Sequence, residues 1–337
     1  MNSLERTRSA IRGQKIDRLP CFPILIAPAC QLTNVRQSDY SQDADVMADT
    51  LIRAREIIGT DGIYVSRDNW VCYEALGGEM TFPEDDEPNG RGVLLKSVSD
   101  FRKLSVPDPV SAPGMSTVLD AARKVVDAVG NDFYIQANID CGPFTMAAIL
   151  RGTQNFLLDI VTEDENEVHS FLEFCTEVVI AYGRAMIATG VHGIQYGDST
   201  AGLISPDLYE KFVLPYQHRS LRKLANPFTD LWVHICGDSR HILNYLRDLD
   251  FQGFEVDAKV KLEDARQYLG SKALKGNIDT TFLLRENEES VYKATVEMLK
   301  RANLKTGLVV SPGCGVPRMT PPENLRAMMR ACEDYKL

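Results

Sequence analysis

Eight short apolar or β-branched runs, each leading into a longer stretch with helical spacing, constrain this chain more than any other feature. They are CFPILI (21–26), GIYVS (62–66), FYIQANI (133–139), GIQYG (193–197), LWVHIC (231–236), GFEV (253–256), KALKGNI (272–278) and GLVVSP (307–312). The segments between them, such as DADVMADTLIRAREIIG and EESVYKATVEMLKRANL, repeat apolar residues at three- and four-residue intervals, and glycine closes several of them. Alternating strands and helices pack as a parallel sheet covered by helices, and eight repeats predict a (β/α)8 TIM barrel. The rival is an open doubly wound sheet, which would usually carry a glycine-rich phosphate loop after its first strand. Neither G-x-G-x-x-G nor G-x-x-x-x-G-K-[ST] occurs.

The 337 residues suit one barrel domain spanning 1–337, and no linker divides the chain. The 67-residue interval from Ser66 to Phe133 is too long for a single crossover. The piece TFPEDDEPNGRGVLLKSVSDFRKLSVPDP within it, after the second strand, is expected to be an inserted hairpin and loop beside the barrel mouth. Lys and Arg number 37 against 47 Asp and Glu, a formal charge of −10, and no basic run appears. That disfavours nucleic acid and anionic membranes as partners. The start, MNSLERTRSAIRGQKIDRLP, lacks the apolar core of a signal peptide, and no apolar stretch is long enough to span a membrane, so a cytoplasmic location is expected. The eight cysteines should then be reduced thiols. Cys21, Cys72, Cys175 and Cys332 read as buried filler, while Cys30 and Cys141 near strand ends stay open.

The run LWVHICGDSR sets His234 and Cys236 two apart, so both side chains face the same way if the run is a strand. In a barrel, functional residues project from the C-terminal strand ends, and all those ends open onto one mouth. The eighth strand enters VVSPGCGVPRMTPPEN, which puts Cys314 in a Pro/Gly turn at that rim, within reach of His234 and Cys236. TPPE is expected to start the next helix, with Thr320 as N-cap and Glu323 completing a capping box. Three protein ligands with a vacant fourth position are the pattern of a catalytic zinc. The plainer alternative is a hydrogen-bonded core histidine with cysteines as small apolar filler. His192 and His218 read as structural and His241 as a helix-surface residue. Trp70 and Tyr73 are candidates to line an aromatic pocket, although core packing is their commoner fate.

HICGDSRHILNYLRDLDFQGFEVD and SPGCGVPRMTPPENLRAM resemble the uroporphyrinogen decarboxylase superfamily, and within it the zinc methyltransferases that serve corrinoid proteins. ERTRSAIRGQKIDRLPCFP, CGPFTMAAILRG, YGDSTAGLISPDLYEKFVLPY and KGNIDT extend the likeness over nearly the whole chain. The decarboxylase branch reads substrate carboxylates with arginines just after the first strand; PILIAPACQLT has none here, whereas the H-x-C…C set of the methyltransferase branch is complete. The resemblance implies a (β/α)8 barrel, a zinc held by His234, Cys236 and Cys314, and methyl transfer between a methylcobamide and a small thiol such as coenzyme M. It also implies an acidic residue after the sixth strand at zinc's fourth position, for which Asp257 matches better than Glu255. Asp198, ending the fourth strand, could orient a ligand from behind; its plainer role is hydrogen bonding to the following turn. No Asp-x-His attachment pattern is present, so the corrinoid (methylcobalamin) is expected on a separate partner protein. The alternatives are the reverse reaction, taking a methyl group from an ether, methylamine or thioether to Co(I), and a tetrapyrrole-binding barrel without transfer.

Overall fold

The computed structural model describes residues 1–337. Its strands in chain order are β1 (Gly62–Val65), β2 (Met80–Thr81), β3 (Asn89–Gly90), β4 (Tyr134–Cys141), β5 (Gly193–Gly197), β6 (Asp230–Ile235), β7 (Gly253–Val256), β8 (Ala273–Ile278) and β9 (Leu308–Pro312). All except β2 and β3 join one parallel sheet in the order β1-β4-β5-β6-β7-β8-β9. Helices on the outside and side chains on the inside cover both faces. That is why these strands read as continuous apolar runs rather than alternating ones.

The run CFPILI, expected as the first strand, is a strand at one residue only. Cys21 bridges Val310 of β9, Phe22 N donates to the Val310 carbonyl, and Asp61 N beside β1 donates to the Cys21 carbonyl. Residues 20–22 thus bond to both edges of the seven-stranded sheet. Pro20 and Pro23 flank the pairing and have no N–H to continue it. The buried Asp61 carboxylate secures this seam, accepting from Cys21 N at 2.8 Å and pairing with Arg6 and Arg18.

Between β1 and β4 the chain forms the two-residue antiparallel pair β2–β3 and then a 3-10 helix, Val98–Lys103. The expected capping box at TPPE does not form. The helix runs Pro322–Asp334 with Pro321 at its N-cap, and Thr320 Oγ1 has no partner. With two prolines in succession the helix starts one residue later, so Glu323 sits too early in the first turn to close a box with Thr320.

The interior of the sheet is layered. Near the N-terminal strand ends Phe22, Tyr134, Trp232, Ala273 and Val309 form a small apolar cluster, with Tyr134 bonded to Asp230 and Trp232 to Tyr134. Two residues further along their strands, Gln136, Glu255 and Lys275 face inward with Gln195 and Tyr64 as a buried polar layer. Glu255 accepts from Gln136 (2.9 Å), Gln195 (2.8 Å) and Lys275 (3.0 Å), and Lys275 also reaches Gln136 Oε1 at 2.7 Å. Charges are buried at this depth only when paired and hydrogen-bonded on all sides. His234 lies two residues beyond Trp232 on β6, one step closer to the mouth.

Candidate metal centre

β6 delivers His234 at its end and Cys236 just past it, where Gly237 takes the left-handed conformation (φ 84°) that turns the chain off the sheet. Cys314 stands in the turn after β9. That turn is pinned by Gly313 N to the Ile278 carbonyl and Val316 N to the Ile24 carbonyl. A Cβ at Gly313 would come within 2.4 Å of Ala258 N, so only glycine lets this turn approach the segment after β7 and bring Cys314 inward.

The ligand atoms of the three residues fall within 4.8 Å of one another. His234 Nε2 is 2.9 Å from Cys236 Sγ, Cys314 Sγ is 3.9 Å from His234 Nε2, and the two sulfurs are 3.9 Å apart. Around a tetrahedral zinc with Zn–S of about 2.3 Å and Zn–N of about 2.0 Å, sulfur–sulfur edges are roughly 3.8 Å and nitrogen–sulfur edges roughly 3.6 Å. Two edges of the triangle already match, and the third fits after opening by less than ~1 Å. The donor set, one imidazole and two thiols, therefore suits zinc.

Each donor is oriented from behind. His234 Nδ1 bonds to the Glu255 backbone carbonyl at 3.1 Å, which turns Nε2 toward the sulfurs. Ser199 Oγ donates to Cys236 Sγ at 3.1 Å. Without a metal, three groups compete for protons in one small space. A hydrogen bond from Cys314 brings the Cys236 thiol down to about 7, and that same bond, with burial, pushes Cys314 up. Burial works against a charged His234, yet Cys314 and Glu255 hold it up at about 9. A divalent cation would take the place of those protons.

Above the triangle lies a cavity of about 600 Å³, walled by Trp70, Asn138, Asp140, Gln195 and Arg318 among others. Trp70 is on that wall, with its ring edge-on to Tyr73 at 5.4 Å; Tyr73 is buried behind it and donates to the Arg91 carbonyl.

The two aspartates singled out in the sequence stand apart from the triangle. Asp257 Oδ2 accepts from Gly237 N and Oδ1 from Lys259 N, each at 2.8 Å, so its carboxylate shapes the turn that follows Cys236. Asp198 is fully buried and touches neither His234 nor a thiol with its side chain. It accepts from Thr145 N (2.8 Å) and Gln217 Nε2 (2.9 Å), tying the end of β5 to the helix Pro143–Arg151, while its own N–H donates to the His234 carbonyl. The group touching the ligand is its neighbour Ser199, which sequence reasoning passed over because a serine after Asp reads as an ordinary turn residue. His192 accepts from Ile135 N, and His241, in a turn rather than a helix, bonds to the Ile204 carbonyl. Cys21, Cys30, Cys72, Cys141, Cys175 and Cys332 are all buried, and of these Cys141 lines the cavity.

Residues 2–335 match the family model for uroporphyrinogen decarboxylase (URO-D). The chain belongs to the uroporphyrinogen decarboxylase family. Within this family it is similar to the methylated-thiol–coenzyme M methyltransferase of Methanosarcina mazei, at 28% identity over 99% of this chain and 90% of that protein. It is equally similar to the methylcobamide:CoM methyltransferase of Methanosarcina acetivorans, at 28% identity over 98% of both. A uroporphyrinogen decarboxylase of Anaeromyxobacter dehalogenans is 25% identical over 98% of each chain. The solved structure of a methyltransferase from Methanosarcina mazei superposes with a TM-score of 0.90 over 99% of both chains, at 24% sequence identity, and shares the fold. No helix is long and apolar enough to cross a membrane.

Proposed function

We propose that this chain is a zinc-dependent methyltransferase, a single barrel domain over residues 1–337, moving a methyl group between a corrinoid protein and a small thiol. The observation that carries the reading is the convergence of His234 Nε2, Cys236 Sγ and Cys314 Sγ beneath an open cavity. The names of the full-length relatives support it. Two thiolates and a neutral imidazole bring a charge of −2, which cancels a divalent zinc, so a third thiolate would leave the centre electron-rich; three histidines would leave it at +1, better suited to activating water. Bound there, zinc would remove the proton from a substrate thiol, which otherwise is only a few per cent thiolate at neutral pH.

The protein's part is positional. Glu255's carbonyl aims His234, Ser199 steadies Cys236, and the Asp257 turn fixes the chain between them. Asp257 rather than Glu255 would take zinc's fourth position before substrate arrives. Its carboxylate sits on the turn after Cys236 and would exchange its bonds from Gly237 N and Lys259 N for the metal, whereas Glu255 is paired with the buried Lys275. A methylcobamide would supply the methyl group and retain the Co–C bonding pair, going from Co(III) to Co(I). The substrate sulfur's lone pair would form the C–S bond, and the thiol proton would go to solvent.

The zinc-loaded chain should demethylate methylcobalamin when a suitable thiol is present, with coenzyme M tried first. A second direction, from a methyl ether or amine to Co(I), is favoured only by Trp70 on the cavity wall. Silence toward every thiol and every methyl donor, with zinc bound and the corrinoid protein supplied, would overturn the methyltransferase reading.

A further inference from the structure

Part of the cavity wall has no task in the reading above. Asp140 lies at the end of β4, where the pairing with β5 shifts register between Asn138 and Cys141, and its backbone is left-handed at φ 71°. Residues other than glycine rarely adopt that conformation, and both such strain and β-bulges concentrate at binding sites. Asp140 is 3% exposed; Oδ2 accepts from Cys72 N at 2.8 Å, and Oδ1 has no partner. Asn138, 4% exposed, donates through Nδ2 to Ser66 and Asn69, which leaves its Oδ1 without a donor. Asp86 and Glu87 line the same cavity. Burial, with the nearby charge of Asp68, pushes the carboxyls of Asp140 and Glu87 each up to about 7, and Arg67 offsets only part of this at Asp140.

Arg318 is the one Lys or Arg on this lining; its Nη1 is unpartnered, and its Nη2 is 3.4 Å from Asp85. The wall therefore presents two orphaned acceptors and three carboxyl groups against one guanidinium.

We infer that this wall receives the head group of the substrate thiol, and that the head group is a positively charged hydrogen-bond donor: a small aminothiol rather than a thiol sulfonate. This rests on the thiol-methylation reading and names its substrate class. An ammonium supplies the donors that Asp140 and Asn138 lack and a positive charge among the carboxyls, whereas a sulfonate would meet the unpartnered Arg318 Nη1 but leave the Asp140 and Asn138 oxygens without donors.

Cysteamine and 2-mercaptoethanesulfonate share a two-carbon thiol and differ only in the head group. Calorimetric titration of the zinc-loaded full chain with each reads the preference without turnover. Cysteamine should bind at least about tenfold more tightly. Asp140→Asn should erase most of that preference, since asparagine tolerates the left-handed backbone and can still accept from Cys72 N. Glu87→Gln, on the loop outside the sheet, should reduce it in the same direction and reads the wall independently should Asp140→Asn not fold. Equal or tighter binding of the sulfonate, or a preference unmoved by both variants, overturns the head-group assignment and leaves the thiol reading standing. Absence of binding by both thiols to the zinc-loaded chain overturns both.

Discussion

His234 Nε2 and Cys314 Sγ lie 3.9 Å apart although 80 residues separate them in the chain. Three strands, β7, β8 and β9, lie between them in the sequence, and the parallel order of the sheet returns each C-terminal end to one mouth.

That proximity makes metal content the first expectation. The purified chain should hold about one zinc, with X-ray absorption showing sulfur neighbours near ~2.3 Å. Cys236→Ala and Cys314→Ser should each lose most of the metal while remaining folded by circular dichroism. Full zinc in both variants by elemental analysis would refute the ligand assignment.

The fourth position should exchange. On adding a substrate thiol to the zinc-loaded chain, one oxygen or nitrogen neighbour should be replaced by sulfur in the absorption spectrum. A shell that stays the same while the thiol demonstrably binds would remove Asp257 from the proposed ligand set.

Ser199 offers a test of orientation without loss of a ligand. Its hydroxyl donates to Cys236 Sγ and helps favour the thiolate, with the larger contribution coming from Cys314. In metal-free Ser199→Ala, thiolate absorbance should titrate at higher pH than in the parent chain, where Cys236 stands at about 7. An unmoved titration would mean the hydroxyl does not reach the sulfur in solution.

Asp198 should govern stability rather than metal binding. Asp198→Ala strands Thr145 N and Gln217 Nε2 in a buried place and should cost about 2–4 kcal/mol in denaturant unfolding while zinc content holds. Burial raises its folded pKa to about 6, above the ordinary value of 3.8. The folded state therefore holds the proton more tightly than the unfolded one, so this group's contribution to stability is fully present below pH 4 and declines as pH rises through 6. Removing the carboxyl should flatten that decline; an identical pH slope in the variant would contradict it.

Lys275 and Glu255 form the buried pair beneath the metal triangle. Lys275→Met leaves Glu255 charged and uncompensated and should destabilise by about 3–5 kcal/mol. Adding Glu255→Gln should recover much of that loss, because the stranded charge is gone. A double variant no more stable than Lys275→Met would place the cost in packing instead.

Much of this protein was legible in the chain alone. Seven of the eight runs are strands of the parallel sheet, and His234, Cys236 and Cys314 could be picked out, because period-two placement on a strand and a Pro/Gly turn after one are local properties. The first run misled because its composition is apolar while Pro20 and Pro23 leave it unable to sustain a ladder, a deficit that shows only when the partner strands are in place. What the tertiary structure alone decided is which polar atoms satisfy which. Ser199 rather than Asp198 touches Cys236, a backbone carbonyl rather than a carboxylate aims His234, and Asp140 is left with an oxygen that nothing in the protein fills. A hydrogen bond is settled over distances of about 3 Å. Neighbours in sequence can point to opposite sides of a strand, and residues far apart in the chain can meet, so the pairing of polar groups becomes readable only once the strands have set their positions.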